Sequence, residues 1–411
     1  MRASKNHPPL FQGWISFASN AGAAGPIHRA CNRFLRSQHR GAGRLKLAGR
    51  RLIWPWRAFQ AARACYSVYG QGCRRDFGLS PLRQWIQMTR LALLYSVPPE
   101  SYYVLRLHEG RGHPAEYLHD FETYPLLSAL PRDRAWFDAQ NSKSCFAQFC
   151  LDHHLLSIPT LGVLQDHVWS PTSDATFPPS CSFVAKPDRG AQGWGVEIFD
   201  LLAEGGGYRG FDGGAFSPAE LAHHLNERST RSALILQPRI AMHPALAPLS
   251  SGALPTLRVI TLREPDGTLS AWFPRLNLPV GRHASDNMRS GGGAIASAVD
   301  LNSARLGPAT GKEALGGIHD LHPDTGVTIT GFPVPCFHDA MALARRAQAA
   351  MTGLPSIGWD IAITPDGPLL VEANSGWGVM TIQRVLGRPL AREQEFCRRL
   401  TAILEQHLNS K

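Results

Sequence analysis

Lysine is scarce in this 411-residue chain: six lysines stand against thirty-six arginines. Arginine is therefore the default cation, and a lysine at a pointed position carries information. Between residues 47 and 311 only Lys143 and Lys186 occur. Acidic residues are missing from the first 75 positions, which hold fourteen Lys and Arg; the remaining 336 hold 28 basic and 32 acidic side chains, a net of −4. The formal charge of +10 thus belongs to an N-terminal arm. A mildly acidic body argues against a nucleic-acid enzyme, which carries its positive surface on the folded part. No apolar run approaches the ~20 residues that span a bilayer. The N-terminus lacks the compact apolar segment of a secretory signal. The eight cysteines show no CxxC spacing, so reduced thiols in a cytoplasmic protein are expected and a zinc site is not. His319 and His322 lack a suitably spaced third ligand and read as loop histidines. GxxxxGK[ST] and GxGxxG are both absent, which excludes a Walker loop and the dinucleotide fingerprint. No Ser-His-Asp or Cys-His arrangement follows from the spacing, and there is no internal repeat.

What is present suffices for a large core, at 44% hydrophobic content, and the length suggests two or three domains. Residues 1–50 read as a basic arm, expected to be poorly ordered. Within it, residues 27–35 read as a short basic amphipathic helix, and contact of the arm with a membrane surface or nucleic acid is the alternative to poor order. Residues 51–140 read as a helical or mixed region, with one helix after Pro55 and another opened by Ser80-Pro81. A short helix from Lys143 follows, capped by Ser142. Residues 182–186 (SFVAK) read as a buried strand that ends in Lys186 and runs into the glycine-rich turn DRGAQGWG. A compact ammonium suits polyphosphate oxygens as a point charge. Gly190, Gly193 and Gly195 would let backbone N–H groups approach the same phosphates. A surface hairpin with a solvated lysine is the alternative.

The most informative stretch is 358–374, GWDIAITPDGPLLVEAN. Two apolar-alternating runs flank a Pro365-Asp366-Gly367 turn, a β-hairpin pattern. A turn centred on Asp366 sets Asp360 opposite Glu372, with Cβ atoms about 4.5–5.5 Å apart. The two-residue strand period adds Asn374 to the same face. Three hard oxygen donors on one patch suit Mg²⁺, which keeps waters and substrate phosphates as its other ligands. An ordinary polar hairpin face is the alternative. In either case Ile361, Ile363, Leu369 and Val371 are expected to form the buried side.

Taken in order, Lys143, Lys186 with its glycine-rich turn, the strand at 234–240 and the Asp360/Glu372-Ala373-Asn374 hairpin resemble the ATP-grasp fold, an α+β architecture of two subdomains clasping ATP. The segments LPTLRVIT, SDNMRSGGG, HPDTG and IGWDIAITPDGPLLVEAN resemble, more narrowly, the sugar-transfer-associated ATP-grasp family, over roughly residues 100–390. The resemblance implies ATP and Mg²⁺ as cofactors, a nucleotide subdomain over 141–236 and a metal and acceptor subdomain over 237–411. It implies that the Gln237 carbonyl and the Ile240 N–H read adenine, although Pro238 removes one donor and the usual acidic residues at and after the hinge are missing. His243 is a weak substitute for the ribose ligand. Arg258 and Arg275 would face the γ-phosphate and a developing acyl phosphate, with a salt bridge to a neighbouring acid as the alternative for each. Asp286 and Asn287 would shape the acceptor pocket.

The activity implied is a carboxylate–amine ligase, in polysaccharide or glycoconjugate assembly, with a small carboxylate and an amine or sugar-linked acceptor as partners. A kinase on the same scaffold, a nucleotide-binding partner of a glycosyltransferase system, and nucleic-acid binding through the arm are the competing readings.

Overall fold

The computed structural model describes residues 19–38, 49, 52–130, 133–172, 174–190, 195–203, 206–250, 252–281, 294–311 and 317–410. Gly193, Asp286 and Asn287 lie outside them. Two seven-stranded antiparallel sheets organise the chain. The first comprises β1 (Gly162–Gln165), β2 (Val168–Pro171), β3 (Phe183–Pro187), β4 (Glu197–Leu201), β5 (Tyr208–Gly210), β6 (Ala215–Phe216) and β7 (Leu234–Pro238). They lie in the order β2-β1-β7-β3-β4-β5-β6. The second comprises β8 (Thr256–Arg263), β9 (Leu269–Pro279), β10 (Ala294–Val299), β11 (Leu306–Gly311), β12 (Ile318–His319), β13 (Ser356–Thr364) and β14 (Gly367–Asn374). Its order is β12-β11-β10-β9-β8-β13-β14.

Helices precede and cover the sheets: α1 (Gly25–Ser37), α2 (Trp54–Phe77), α3 (Pro81–Tyr95), α4 (Pro99–Val104), α5 (Asp120–Leu127), α6 (Arg134–Asn141), α7 (Lys143–Asp152), α8 (Pro218–Ser229), α9 (Phe337–Ala350), α10 (Val379–Leu386) and α11 (Gln394–Asn409). Local chemistry fixes several of their starts. Ser80 and Ser142 cap α3 and α7, accepting from the backbone of Arg83 and Cys145. Ser217 and Glu220 close a full capping box on α8.

Each sheet face buries what its pattern of alternation supplies. Leu221 and Leu225 of α8 pack on Leu164, Phe183, Phe199 and Leu236 of the first sheet. On the second sheet, Leu257, Val259, Leu276, Trp359 and Ile361 face α7 and α9. On its other face Ile260 and Leu262 pack with Trp377 and with the apolar sides of α1, α5, α10 and α11.

That last contact departs, for residues 25–37, from the expectation of a poorly ordered arm, and the short amphipathic helix read at 27–35 lies within α1; residues 1–18, 39–48 and 50 of the arm lie outside the described residues. Helix α1 buries Ile27, Ala30, Cys31 and Phe34 against Leu400, Ile403 and Leu404 of α11. The apolar positions at i, i+3, i+4 and i+7 make one stripe, so the basic residues are left on the outer side. His28 sits at full burial with Nδ1 2.9 Å from Glu122 and Nε2 2.9 Å from the Ala115 carbonyl. Burial pulls the His28 pKa down, but the Glu122 carboxylate outweighs it and holds it above the usual 6.5.

Two outcomes follow for α1. Phe34→Ala is expected to cost about 3–5 kcal/mol, seen as a lowered Tm in the full chain. Because the folded-state pKa of His28 is raised, its pairing stabilises fully below the unfolded value of 6.5 and is lost as pH rises through the folded value. Thermal stability should therefore fall with rising pH over that window, and His28→Gln should flatten the profile.

Candidate functional site

Strands β13 and β14 bring Asp360 opposite Glu372 and Gly358 opposite Asn374. The pairing arises differently from the simple hairpin that the sequence suggests. Residues 361–364 pair with 367–370 across a two-residue Pro365-Asp366 turn, and the register then shifts by one between Asp360 and Ile361. Val371 is the extra residue of a β-bulge. Had the ladder continued without a bulge, Val371 would pair with Asp360, and Glu372 and Asn374 would share a face with Leu370, which is fully buried in the core. The bulge turns them to the face of Asp360. It also corrects the expected apolar side: Pro368, Leu370 and Ala373 are buried, whereas Leu369 and Val371 are only partly so.

Asn374 Nδ2 lies 3.0 Å from Glu372 Oε1 and 3.3 Å from Asp360 Oδ2, so all three side chains meet. Gly358 makes room for this. A Cβ there would lie 2.6 Å from Trp377 Cβ, and Trp377 is itself buried with its indole N–H donating to Ser356.

The same ladder line continues across the sheet. Arg258 of β8 pairs with Asp360, and Arg275 of β9 pairs with Arg258. Arg275, Arg258, Asp360 and Glu372 therefore form one row across four strands. Arg258 takes Asp360 in a two-pronged grip, through Nε and Nη2. Of the two roles open to Arg258, the structure shows the salt bridge. Burial raises the Asp360 pKa to about 7; the charge of Glu372 adds to that and Arg258 opposes it. Burial also works to raise Glu372, but hydrogen bonds from Asp360 and Asn374, with the charges of Arg258 and Lys143, bring it below its usual value.

Both lysines converge on this row from the first sheet's side. Lys186 ends β3 beside Ile235 of β7 and is almost fully buried. Burial lowers its pKa to about 8, Glu372 acting against the shift and Lys143 with it. Lys143 opens α7, and its ammonium reaches the carbonyls of Pro187 at 2.9 Å and Gly190 at 3.3 Å. Burial lowers its pKa as well, opposed by Glu372 and Asp188.

Asp188, a residue that reading the sequence did not single out, ties the two elements together. Its carboxylate accepts from the Ser142 hydroxyl and the Ser144 N–H, both at 2.8 Å. Its carbonyl accepts from the Lys143 N–H at 3.0 Å. The signal was available: an aspartate directly after the lysine-bearing strand and a serine cap directly before the other lysine.

Gly190 and Gly195 take φ values of 143° and 72°, which other residues rarely adopt. Arg228 of α8 holds the far end of the turn through the Gly195 carbonyl at 2.7 Å and an ion pair with Glu197.

At the hinge the backbone phase departs from the expectation. Asp188 donates to the Ala233 carbonyl and Arg239 to the Ser182 carbonyl, and Gln237 sits opposite Val184 in the same phase. The Gln237 carbonyl therefore points into the β3 ladder. The Pro238 carbonyl faces the other way, and Ile240 lies beyond the strand. The Gln237 side chain contacts the Ile158 carbonyl at 3.4 Å.

The donor set fits a divalent cation. Among the described residues no cluster of three His, Cys, Asp or Glu side chains is placed to hold a metal, so two carboxylates and one amide oxygen are what the face offers. Each carboxylate oxygen has two lone pairs, which leaves Asp360 acceptor capacity beside Arg258. Reversal of the Asn374 amide presents its oxygen.

Among known proteins, the model for the sugar-transfer associated ATP-grasp family matches residues 130–398. Several solved structures are similar at low identity. D-alanyl-alanine synthetase A from Vibrio cholerae is 11% identical, with a TM-score of 0.40 and 67% of each chain covered. The VanG D-Ala:D-Ser ligase from Enterococcus faecalis is 9% identical, with a TM-score of 0.38, covering 66% of this chain and 64% of that one. An ADP complex of N5-carboxyaminoimidazole ribonucleotide synthetase is 12% identical, with a TM-score of 0.37 over 63% of this chain. The present chain spans about half of that last enzyme, 52%. No curated protein matches by sequence.

Deleting Val371 tests the register. The deletion sets Glu372 directly after Leu370, so the ladder becomes regular while Asp360 stays opposite Glu372 and Gly358 opposite Asn374. Mg-ATP binding by calorimetry is therefore expected to persist. Loss of binding at an unchanged Tm would show that the site needs the local twist of the bulge and not its register alone.

Proposed function

The chain belongs to the sugar-transfer associated ATP-grasp family, and on that premise we propose that it is an ATP- and Mg²⁺-dependent ligase joining a carboxylate to an amine. The observation that carries this reading is the four-strand row Arg275–Arg258–Asp360–Glu372 with Lys143 and Lys186 set against it. Four cations beside two carboxylates is an excess of positive charge that a polyphosphate would neutralise. The family name supports an acceptor linked to sugar transfer.

In this reading Lys143 and Lys186 hold the phosphates, and Gly190 and Gly195 leave room for backbone N–H groups to approach them. The adenine amino group and N1 are read by the Pro238 carbonyl and the Ile240 N–H, since the Gln237 carbonyl is spent in the sheet. Asp360, Glu372 and Asn374 would hold Mg²⁺, which when bound neutralises phosphate charge. Arg258 orients Asp360 through its two-pronged grip, and Arg275 adds positive charge at the end of the row. The acceptor carboxylate attacks the γ-phosphorus with loss of ADP. The amine then attacks the acyl phosphate, giving an amide and inorganic phosphate. The protein's contribution is positioning and charge neutralisation.

The decisive assay supplies ATP with carboxylate and amine candidates, including carboxylated sugars, and follows ADP and product mass. Acceptor-dependent ADP with an amide supports the ligase; a phosphorylated hydroxyl would replace that reading with a kinase.

Lys186→Arg should lower kcat/KM for ATP about ten- to a hundredfold, because a planar fork replaces a compact ammonium in a buried cleft; losing one charge-assisted hydrogen bond is worth roughly 1.5–3 kcal/mol. With its pKa near 8, Lys186 is charged below that pH and neutral above it. ATP binding to the wild type should therefore weaken as pH rises through about 8, and Lys186→Gln should remove that inflection.

A further inference from the structure

Helices α2 and α3 form an antiparallel pair whose inner sides are well packed. Trp54 donates through its indole N–H to the Ala92 carbonyl at 2.9 Å, and Gln84 bonds the carbonyls of Gly70 and Leu79. Ala58, Ala62, Cys73 and Met88 are buried between them and their neighbours. The outer side is different in kind. Trp56 and Phe59 on α2 are 63% and 52% exposed, and Leu82 and Ile86 on α3 are 71% and 58% exposed. Positions 82, 86 and 93 fall on one helical stripe, and Leu93 is exposed there too.

The two stripes are joined. Trp56 stacks on Phe59 with centroids 6.2 Å apart, and Phe59 meets Trp85 of α3 at 5.6 Å. An apolar patch of this composition exceeds the scattered single residues usual on a surface.

The charge around it has one sign. From residue 52 to 95 the chain has one acid, Asp76, and Arg75 engages it at 2.6 Å. Arg63, Arg83 and Arg90 are exposed on the same helices, and among the described residues none of them forms an ion pair.

We propose that this face of α2 and α3 docks on an anionic phospholipid surface. Aliphatic and indole side chains enter the acyl boundary while arginines extend to the headgroup phosphates. Charge complementarity selects this occupant. A second copy presenting the same face would oppose arginine to arginine across a two-fold interface. A nucleic-acid backbone would pair with the arginines but leave Leu82, Ile86 and Leu93 in water. The helices lie on the membrane rather than cross it, for no helix among the described residues is long and apolar enough to span one. The docking itself does not depend on the ligase reading.

Co-sedimentation of the full chain with vesicles tests it. Binding is expected to vesicles of mixed phosphatidylglycerol and phosphatidylcholine, and to be weak on phosphatidylcholine alone. Replacing Arg63, Arg83 and Arg90 together by Gln should weaken binding on the order of a hundredfold, at about fivefold per arginine. Trp56→Ser with Phe59→Ser and Ile86→Ser should abolish binding. Both variants change exposed positions and should keep the wild-type Tm.

Three results would overturn the proposal. One is no binding of the wild type to either vesicle. Another is binding to RNA as tight as to vesicles and indifferent to the apolar triple change. The last is a concentration-dependent dimer in the absence of lipid that Ile86→Ser dissolves.

Discussion

Two carboxylates set side by side away from bulk water must be compensated, and the rest of the second sheet is arranged around that requirement. Asp360 and Glu372 face each other across neighbouring strands, Asp360 buried and Glu372 half-buried. Taking each charge out of water costs several kcal/mol. Compensation comes along the ladder from Arg258 and Arg275 and from across the cleft through Lys143 and Lys186. Of these cations Lys186 and Arg275 are buried, and Arg258 and Lys143 half-buried. Removing any member leaves others of like charge facing one another. That mutual dependence is why the site is spread over elements from residue 143 to residue 374.

Rigidity of the site rests on the opposite face of the same strands. Trp359, Ile361 and Leu370 are packed into the core with α7 and α9, and α7 is the helix that starts with Lys143. Phe146, one turn along α7, lies 6.4 Å from the Trp359 ring, centroid to centroid. The segment 156–158 runs along the outer side of β14, with backbone bonds between Leu156 and Leu370 and between Ile158 and Leu370. That covers an edge that would otherwise stay unpaired. Lysine, helix, strand and carboxylates thus form one packed unit, whereas the glycine-rich turn is tied through Asp188, Arg228 and Glu197.

Most elements were legible because their signals are local. Ser80, Ser142 and Ser217 announce helix starts, and alternation marks β3, β7, β8, β9 and the hairpin of β13 and β14. The packing of α1 was not legible, because the helix has a stripe but no side-chain cap and its partners Leu400 and Leu404 lie more than 360 residues away in sequence. Burial of His28 depends likewise on Glu122, which no local pattern announces. Helix α10 went unread because it follows a Gly-Trp-Gly turn and owes its burial to α5 and the second sheet.

By itself the sequence determined the residue types of the site, their order and the pairing of Asp360 with Glu372, since turn chemistry and strand period act over a few residues. It also determined the charge asymmetry, which is a matter of counting. Only the tertiary structure decided which apolar residues of β14 lie under the site, because a one-residue bulge buries Leu370 in place of Leu369 and Val371. It alone set Arg258 on Asp360 rather than open to a phosphate, and the Gln237 carbonyl into a ladder. Both are matters of register between strands distant in the chain. Register follows from the packing of whole faces, and no short stretch of sequence contains it.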